Sequence, residues 1–268
     1  MWLELLPTLP HLRNAAVVLL GSEVCDNSWI HPYMSFNGGP LKFVFLVYDS
    51  PEVDNVHFFQ WPLGVATYRN FPDVRSSNLD VRSRRAHLFN FLGTIYKNSS
   101  REILLSAIKN SSYKELGLVK PRWEWLPQET EESQDEYMHA LSQSDLTLNP
   151  VGINTECYRI YESMSLGAVP VVEDTMTPGH CSASRNSKKT FPAPLRLLKE
   201  YGAPVIFVKN WAEDLETLLK REKEMSDYDR LKRRENLVKW YSNFKLLMRD
   251  RLVSVTLEKF FNSRLVDR

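Results

Sequence analysis

"VGINTECYRIYESMSLGAVPVVED", residues 151–174, decides how this chain is read. It runs turn, helix, stop, strand. An α-helix turns about 100° per residue. Counted from Thr155, the side chains of Tyr158, Arg159 and Glu162 fall within about 60° on either side. Cys157, Ile160, Tyr161 and Met164 fall opposite, with the spacing of a core stripe. One face is therefore expected to pack on a sheet, and the polar face to look outward near the helix start. Gly167 stops the helix as a C′ residue would. Pro170 is unusual in the buried strand that follows.

Working outward, the same alternation continues on both sides. "HLFNFLGTIY" reads as a strand ending in Gly93-Thr94, and "SREILLSAIKN" as a helix. A short strand or turn, "LVKPRWEWLP", precedes the helix "QDEYMHALSQS" and the strand "DLTLNPVG". After residue 174 come the helix "APLRLLKEYG", the strand "PVIFVKN" and a long helical region from Trp211. Alternating strands and helices predict a parallel α/β sheet over residues 86–210. Before residue 69 the pattern differs. "AAVVLLG", "LKFVFLVYD" and "VHFFQWPLGVATY" are short apolar runs, expected as buried strands with long loops between them. The polar, turn-rich stretch 69–85 is a candidate linker.

The bulk composition excludes several classes. The chain has 268 residues, room for one large or two ordinary domains, and 43% of them are hydrophobic, which suits a globular protein. A net charge of +1 argues against general attraction to nucleic acid or anionic membrane. The basic run Lys232-Arg233-Arg234 is balanced by Glu222, Glu224 and Glu235. There is no GxGxxG and no GxxxxGK[ST], which argues against a dinucleotide oxidoreductase or a P-loop ATPase. "DYD" at 227–229 has the DxD form of a manganese site, but it lies in a highly charged stretch read as a solvent-facing helix, and no metal site is expected. Cys25, Cys157 and Cys181 form no zinc pattern. One disulfide with a free thiol, or three reduced thiols, are both compatible with three cysteines. The sequons at Asn98 and Asn110 favour a secretory compartment. The apolar N-terminal stretch is broken by Glu4, Pro7, Pro10, His11 and Arg13, so neither a signal peptide nor a membrane span is read there.

The helix of the opening stretch carries the functional reading. In open parallel sheets, ligands lie at the carboxyl ends of the strands, where helices begin. A helix start offers unpaired N–H groups to phosphate, and the planar fork of Arg159 suits phosphate oxygens. A carboxylate one turn deeper, Glu162, suits the vicinal hydroxyls of a ribose. The set reads as a nucleoside diphosphate site. The plain alternative is an i, i+3 surface pair of Arg159 and Glu162.

The run from Pro150 to Val171, "PVGINTECYRIYESMSLGAVPV", resembles the nucleotide-sugar motif of exostosin-like glycosyltransferases. "RRAHLFNFLGTIYKNSSRE", residues 84–102, is similar to the strand that opens their C-terminal domain. The text "GINTECYRIYESMSLGAVPVVEDTMTPGHC" narrows the resemblance to a xylose-transferring branch. The resemblance implies a GT-B type fold of two Rossmann-like domains. Residues 1–80 are then a partial N-terminal, acceptor-side domain with its linker. Residues 81–240 are a complete nucleotide-sugar domain, and helices in 241–268 pack back on the N-terminal part through Phe244, Leu247, Val253 and Leu257. The chain is expected to be a shortened form of a longer, membrane-anchored Golgi enzyme. A complete N-terminal half would favour transfer activity, and an incomplete one a non-catalytic donor-binding remnant.

The resemblance also implies the chemistry. The donor is UDP-xylose, and the acceptor a ribitol phosphate on the O-mannosyl glycan of α-dystroglycan. Other enzymes of that glycan's pathway are candidate partners, and no cofactor is implied. Transfer inverts the configuration at C1. Asn154, Thr155 and Arg159 would hold the diphosphate, with Tyr158 beside them, and Glu162 the ribose. Gly93 and Thr94 would approach the phosphates. Trp123 or Trp125 would face the uracil, although core packing is the expectation for both. Asp49, in a loop after a strand, is the candidate base, with Asp26, His31 and Glu52 as rivals.

Overall fold

The structure, a computed structural model, describes residues 2–9, 11–75, 79–177, 179–182 and 194–261. Its strands are β1 (Ala15–Leu19), β2 (Leu41–Val47), β3 (Phe58–Trp61), β4 (His87–Thr94), β5 (Gly117–Arg122), β6 (Ser144–Asn149), β7 (Val169–Glu173) and β8 (Ile206–Val208). Its helices are α1 (Ser100–Asn110), α2 (Glu131–Ser142), α3 (Tyr158–Ser165), α4 (Arg196–Glu200), α5 (Trp211–Glu224) and α6 (Asp227–Phe261). They fall into two compact units. The first draws on residues 1–63, 176–200 and 244–268, the second on residues 64–175 and 201–243.

The first unit holds a three-stranded parallel sheet in the order β1-β2-β3. Its central strand, "LKFVFLV", buries both faces, as the middle of a parallel sheet should. From Phe43 on, alternate residues go to opposite cores, and a register shift between Leu41 and Phe43 puts Leu41 on the side of Val44. Leu41, Val44 and Leu46 join Leu3, Ile30, Met34 and Phe58. Phe43 and Phe45 join Phe59 and Val255, with Leu252 and Phe260 packed against them. The end of α6 thus covers this sheet, but with another stripe than expected. Phe244 is buried, whereas Leu247, Val253 and Leu257 are each about half exposed. The packed residues Leu252, Val255 and Phe260 follow i, i+3, i+8 spacing. Val253 and Leu257 sit roughly 100° and 140° around the helix from Leu252.

Residues 176–200 belong with this unit, whereas the strand–helix alternation had assigned them to the second domain. Two links hold them. Cys25 and Cys181 form a disulfide, leaving Cys157 as the free cysteine. Arg196 clasps Asp49.

The second unit is built on five parallel strands in the order β5-β4-β6-β7-β8. α1 packs against α5, and α2 against α3, so the pairs lie on opposite faces as right-handed crossovers require. The helix starts carry caps. Ser99 Oγ accepts from the Glu102 N–H, and Thr130 with Ser133 forms a capping box. Arg85 is buried and donates to the carbonyls of Leu141 and Leu166, tying the ends of α2 and α3 together. Burial lowers its pKa to about 10.

The strand order reverses at β4. Its ladder with β6 ends at Asn90 opposite Thr147, while its ladder with β5 runs on to Thr94 opposite Arg122. Past Asn90, β4 and β6 therefore part company at the carboxyl edge. Such a switch point is where open α/β sheets receive ligands.

Candidate functional site

The site grows from the end of β4. Arg159, the second residue of α3, lays its guanidinium 5.3 Å from the Phe91 ring centre. Its Nη2 donates to the Leu92 carbonyl at 2.9 Å. A Cβ on Gly93 would stand 2.6 Å from that Nη2, so glycine is what lets the fork lie against the strand. Nε and Nη1 of Arg159 are buried and have no hydrogen-bond partner among the described residues. Leaving two guanidinium nitrogens unpaired in a buried place is costly unless something else meets them.

Sequence reasoning missed Arg101. It stands in the first turn of α1, and its Nη1 donates to the Thr94 carbonyl at 2.9 Å. Its guanidinium lies 5.3 Å from the Tyr96 ring centre, and a Cβ on Gly152 would meet its Nη2 at 2.6 Å. A cation in the first turn opposes the helix dipole. That was the available signal in "SREILLSAIKN".

Glu173 was also missed. It ends the otherwise apolar β7 and is buried. Ser100 Oγ donates to it at 2.6 Å, and the Val151 N–H and Trp211 Nε1–H each at 2.9 Å. One carboxylate thus fixes the start of α1, the loop after β6 and the start of α5 along one edge of the sheet.

The other expected site residues divide. α3 begins at Tyr158 and not at Thr155, because Cys157 is extended, with φ −142 and ψ 156. Thr155 is buried ahead of the helix and donates its hydroxyl to the Thr175 carbonyl. Asn154 accepts the Glu156 N–H at 2.8 Å through its side-chain oxygen. Both side chains are buried and engaged within the loop, which corrects the exposed helical face expected for Thr155. Thr94 is buried, and its hydroxyl accepts from Arg122 Nε at 3.2 Å.

Glu162 needs the same correction. It is 4% exposed, and its oxygens accept the Ala66 N–H at 3.1 Å and the Tyr137 hydroxyl at 2.5 Å. Burial raises its pKa, opposed by Tyr137, the Ala66 N–H and the positive charges of Arg159 and Arg69. The polar face seen in the helical wheel is covered by the chain just after β3. Glu162 holds that segment and presents no bare oxygen to a ribose.

Tyr158 sits at the surface end of α3, its ring 5.6 Å from that of Tyr68. Trp123 and Trp125 are 68% and 52% exposed, which overturns core packing for both. The Arg69 guanidinium lies 5.3 Å from the Trp125 ring and 5.6 Å from that of Tyr68, and Glu129 holds it at 3.0 Å.

Asp49 is not placed to act as a base. It is 6% exposed and paired in two-pronged fashion with Arg196, whose Nε reaches Oδ1 at 2.7 Å and Oδ2 at 3.0 Å. Arg196 Nη2 also meets Oδ1, and the Arg196 N–H meets Oδ2 at 3.1 Å. Its lone pairs are occupied by donors that a hydroxyl proton would have to displace. Among the rivals, His31 Nε2 and Glu52 Oε1 pair at 2.9 Å, and Asp26 accepts from Ser28. Asn98 and Asn110 are exposed at the two ends of α1.

Comparison with known proteins divides the chain near the same first boundary, between residues 62 and 68. The family model described as "RXYLT1 C-terminal domain" matches residues 68–261, and "RXYLT1 N-terminal domain" matches residues 1–62. "Ribitol-5-phosphate xylosyltransferase 1" of Danio rerio is 51% identical over 97% of this chain and 59% of its own length. The Homo sapiens protein of the same name is 50% identical over 93% of this chain and 55% of its own length. The chain thus spans somewhat over half the length of these relatives. Among solved structures, "Crystal structure of GtfA/B complex" aligns at 10% identity with a TM-score of 0.39, covering 88% of this chain and 52% of that one, too slight a likeness to bear on the fold. With models of both domains together reaching from its first residue to Phe261, the chain belongs to the RXYLT1 family.

Proposed function

We propose that this chain carries the donor site of an inverting xylosyltransferase that moves xylose from UDP-xylose to a ribitol phosphate acceptor, on the O-mannosyl glycan of α-dystroglycan. The supporting observation is Arg159, whose two unpaired, buried guanidinium nitrogens sit at the switch point of a parallel sheet. The names of the relatives supply the sugar and the acceptor class. The donor nucleotide and the glycan carrier come from the motif resemblance.

In this reading an acceptor hydroxyl attacks C1 of xylose. The bond from C1 to the β-phosphate oxygen breaks, and its electron pair leaves with UDP. The hydroxyl proton passes to a base. Charge grows on the β-phosphate as the bond breaks, and a fixed guanidinium there stabilises the transition state more than the ground state. The Cys25–Cys181 disulfide fits an oxidising lumen, in keeping with a Golgi location.

One observation favours a second reading, donor binding without transfer: Asp49 is saturated by Arg196. Steady-state kinetics with UDP-xylose and a ribitol phosphate acceptor, using the full-length enzyme, decide between them. Arg159→Ala is expected to lower turnover about 100- to 1,000-fold with little change in melting temperature. Near-normal turnover in a folded Arg159→Ala protein would make the arginine a structural prop and end the donor-site reading. Nucleotide binding with no transfer by the wild type would select the second.

A further inference from the structure

We propose that Arg101 is the second phosphate ligand, and that Arg101 and Arg159 together form a two-guanidinium clamp for the diphosphate of a nucleoside diphosphate. This rests on the donor-site reading above and adds a residue from a different helix on the opposite face of the sheet.

The geometry at β4 carries it. Arg159 donates to the carbonyl of Leu92, and Arg101 to the carbonyl of Thr94. Residues two apart on a strand direct their carbonyls to the same edge, about 6.6 Å apart along the strand. That edge is the one β6 has left, since the β4–β6 ladder stops at Asn90. Two helices on opposite faces, α1 and α3, thus each send a guanidinium into the gap between the parting strands. Each is admitted by a glycine. A Cβ on Gly93 would stand 2.6 Å from Arg159 Nη2, and one on Gly152 would stand 2.6 Å from Arg101 Nη2. The match is reciprocal: one glycine ends β4, and the other lies in the loop after β6.

Neither cation is in a position favoured by its own helix, because both lie in first turns. A dianionic group between them removes both penalties. The first-turn N–H groups of α1 and α3 point the same way and add to the attraction. A diphosphate has two phosphoryl groups joined through one oxygen, so each guanidinium can take one. The forks are held in advance by backbone carbonyls and by the faces of Phe91 and Tyr96, which limits the ordering cost on binding. Glu173 takes part indirectly. It accepts from Ser100, next to Arg101, and from Val151, next to Gly152, so it fixes the Arg101 side of the clamp.

The test is calorimetric binding of UDP, with uridine as the phosphate-free probe, to the wild type and to Arg101→Ala, Arg101→Lys and Arg159→Ala. The clamp expects Arg101→Ala to weaken UDP about 10- to 100-fold, as for loss of a charge-assisted pair, with uridine affinity unchanged. Arg101→Lys keeps the charge and should recover part of the loss, and it serves as the readout if the alanine variant fails to fold. UDP binding to Arg101→Lys and Arg101→Ala as tight as to the wild type, or an equal loss for UDP and uridine, overturns the clamp. If Arg159→Ala weakens UDP while Arg101→Ala does not, the clamp alone fails. If neither does, the donor-site reading falls with it.

Discussion

Arg159 and Arg196 stand at the carboxyl edges of two different sheets, and they are satisfied in opposite ways. Arg196, at the start of α4, meets both oxygens of Asp49 and also the Ser50 carbonyl just past β2. Arg159, near the start of α3, reaches a single carbonyl past the middle of β4 and leaves two buried nitrogens unmet among the described residues. A saturated buried pair holds structure. A buried cation left short of partners, on a glycine-lined strand end, is what the proposed donor site requires. The two arginines differ in how fully their own fold satisfies them.

The largest effect should come from breaking the saturated pair. Asp49→Ala leaves Arg196 charged, buried and unpaired, and should cost about 3–5 kcal/mol of stability. Chemical denaturation measures this, and a loss under 1 kcal/mol would place Asp49 among exposed residues. Replacing both partners at once, Asp49→Leu with Arg196→Leu, should recover most of that stability. On the proposed function, the same double change in the full-length enzyme should retain transfer activity, because Arg196 already occupies both Asp49 oxygens. Loss of activity in a stable double variant would return Asp49 to the catalytic list.

Removing the disulfide should come next. Cys25→Ser with Cys181→Ser should cost about 2–5 kcal/mol, read from the denaturation midpoint. Arg159→Ala, by contrast, should change stability by less than about 1 kcal/mol, because no carboxylate is hydrogen-bonded to it and Glu162 keeps Tyr137 and the Ala66 N–H. A stability loss as large as that of Asp49→Ala would erase the distinction between the two arginines.

The smallest effect concerns Glu162. Its pKa is raised in the fold mainly by burial. Its contribution to stability is therefore fully present below the ordinary glutamate range and is lost as pH rises through the raised value. Glu162→Gln removes that titration, so its stability should fall less than the wild type's between pH 4 and neutrality. Parallel profiles would show that Glu162 is not the group responsible.

The elements were largely legible because each carries its own period. β2 and β4 are short apolar runs, and α1 runs over the same residues, 100–110, that its sequence pattern marks. The place of Arg159 was legible too: it stands in the first turn of α3, against the end of β4. What was illegible depends on contacts far away in sequence. Glu162 looks like a surface residue on a helical wheel, yet the chain at Ala66, 96 positions earlier, covers it. Asp49 looks like a loop carboxylate until Arg196, 147 positions later, closes on it. The contact face of α6 slipped from Val253 and Leu257 to Leu252 and Val255, because a long amphiphilic helix offers several apolar stripes. Arg101 left a local trace, its place against the helix dipole.

The first unit is discontinuous: its strands come from residues 1–63, and its remaining parts from residues 176–200 and 244–268. During synthesis β1, β2 and β3 leave the ribosome before the rest of their unit: the cation that neutralises Asp49 lies 147 residues further on, and Val255, which seals the outer core, lies further still. At about 5–20 residues per second, roughly ten to forty seconds separate the first sheet from its last packing partners. Within that interval β4, β5, β6 and β7 emerge with most of their own core. The inserted unit can therefore consolidate before the unit that precedes it, and the exposed phenylalanines of β2 and β3 are the surface a chaperone would have to cover meanwhile.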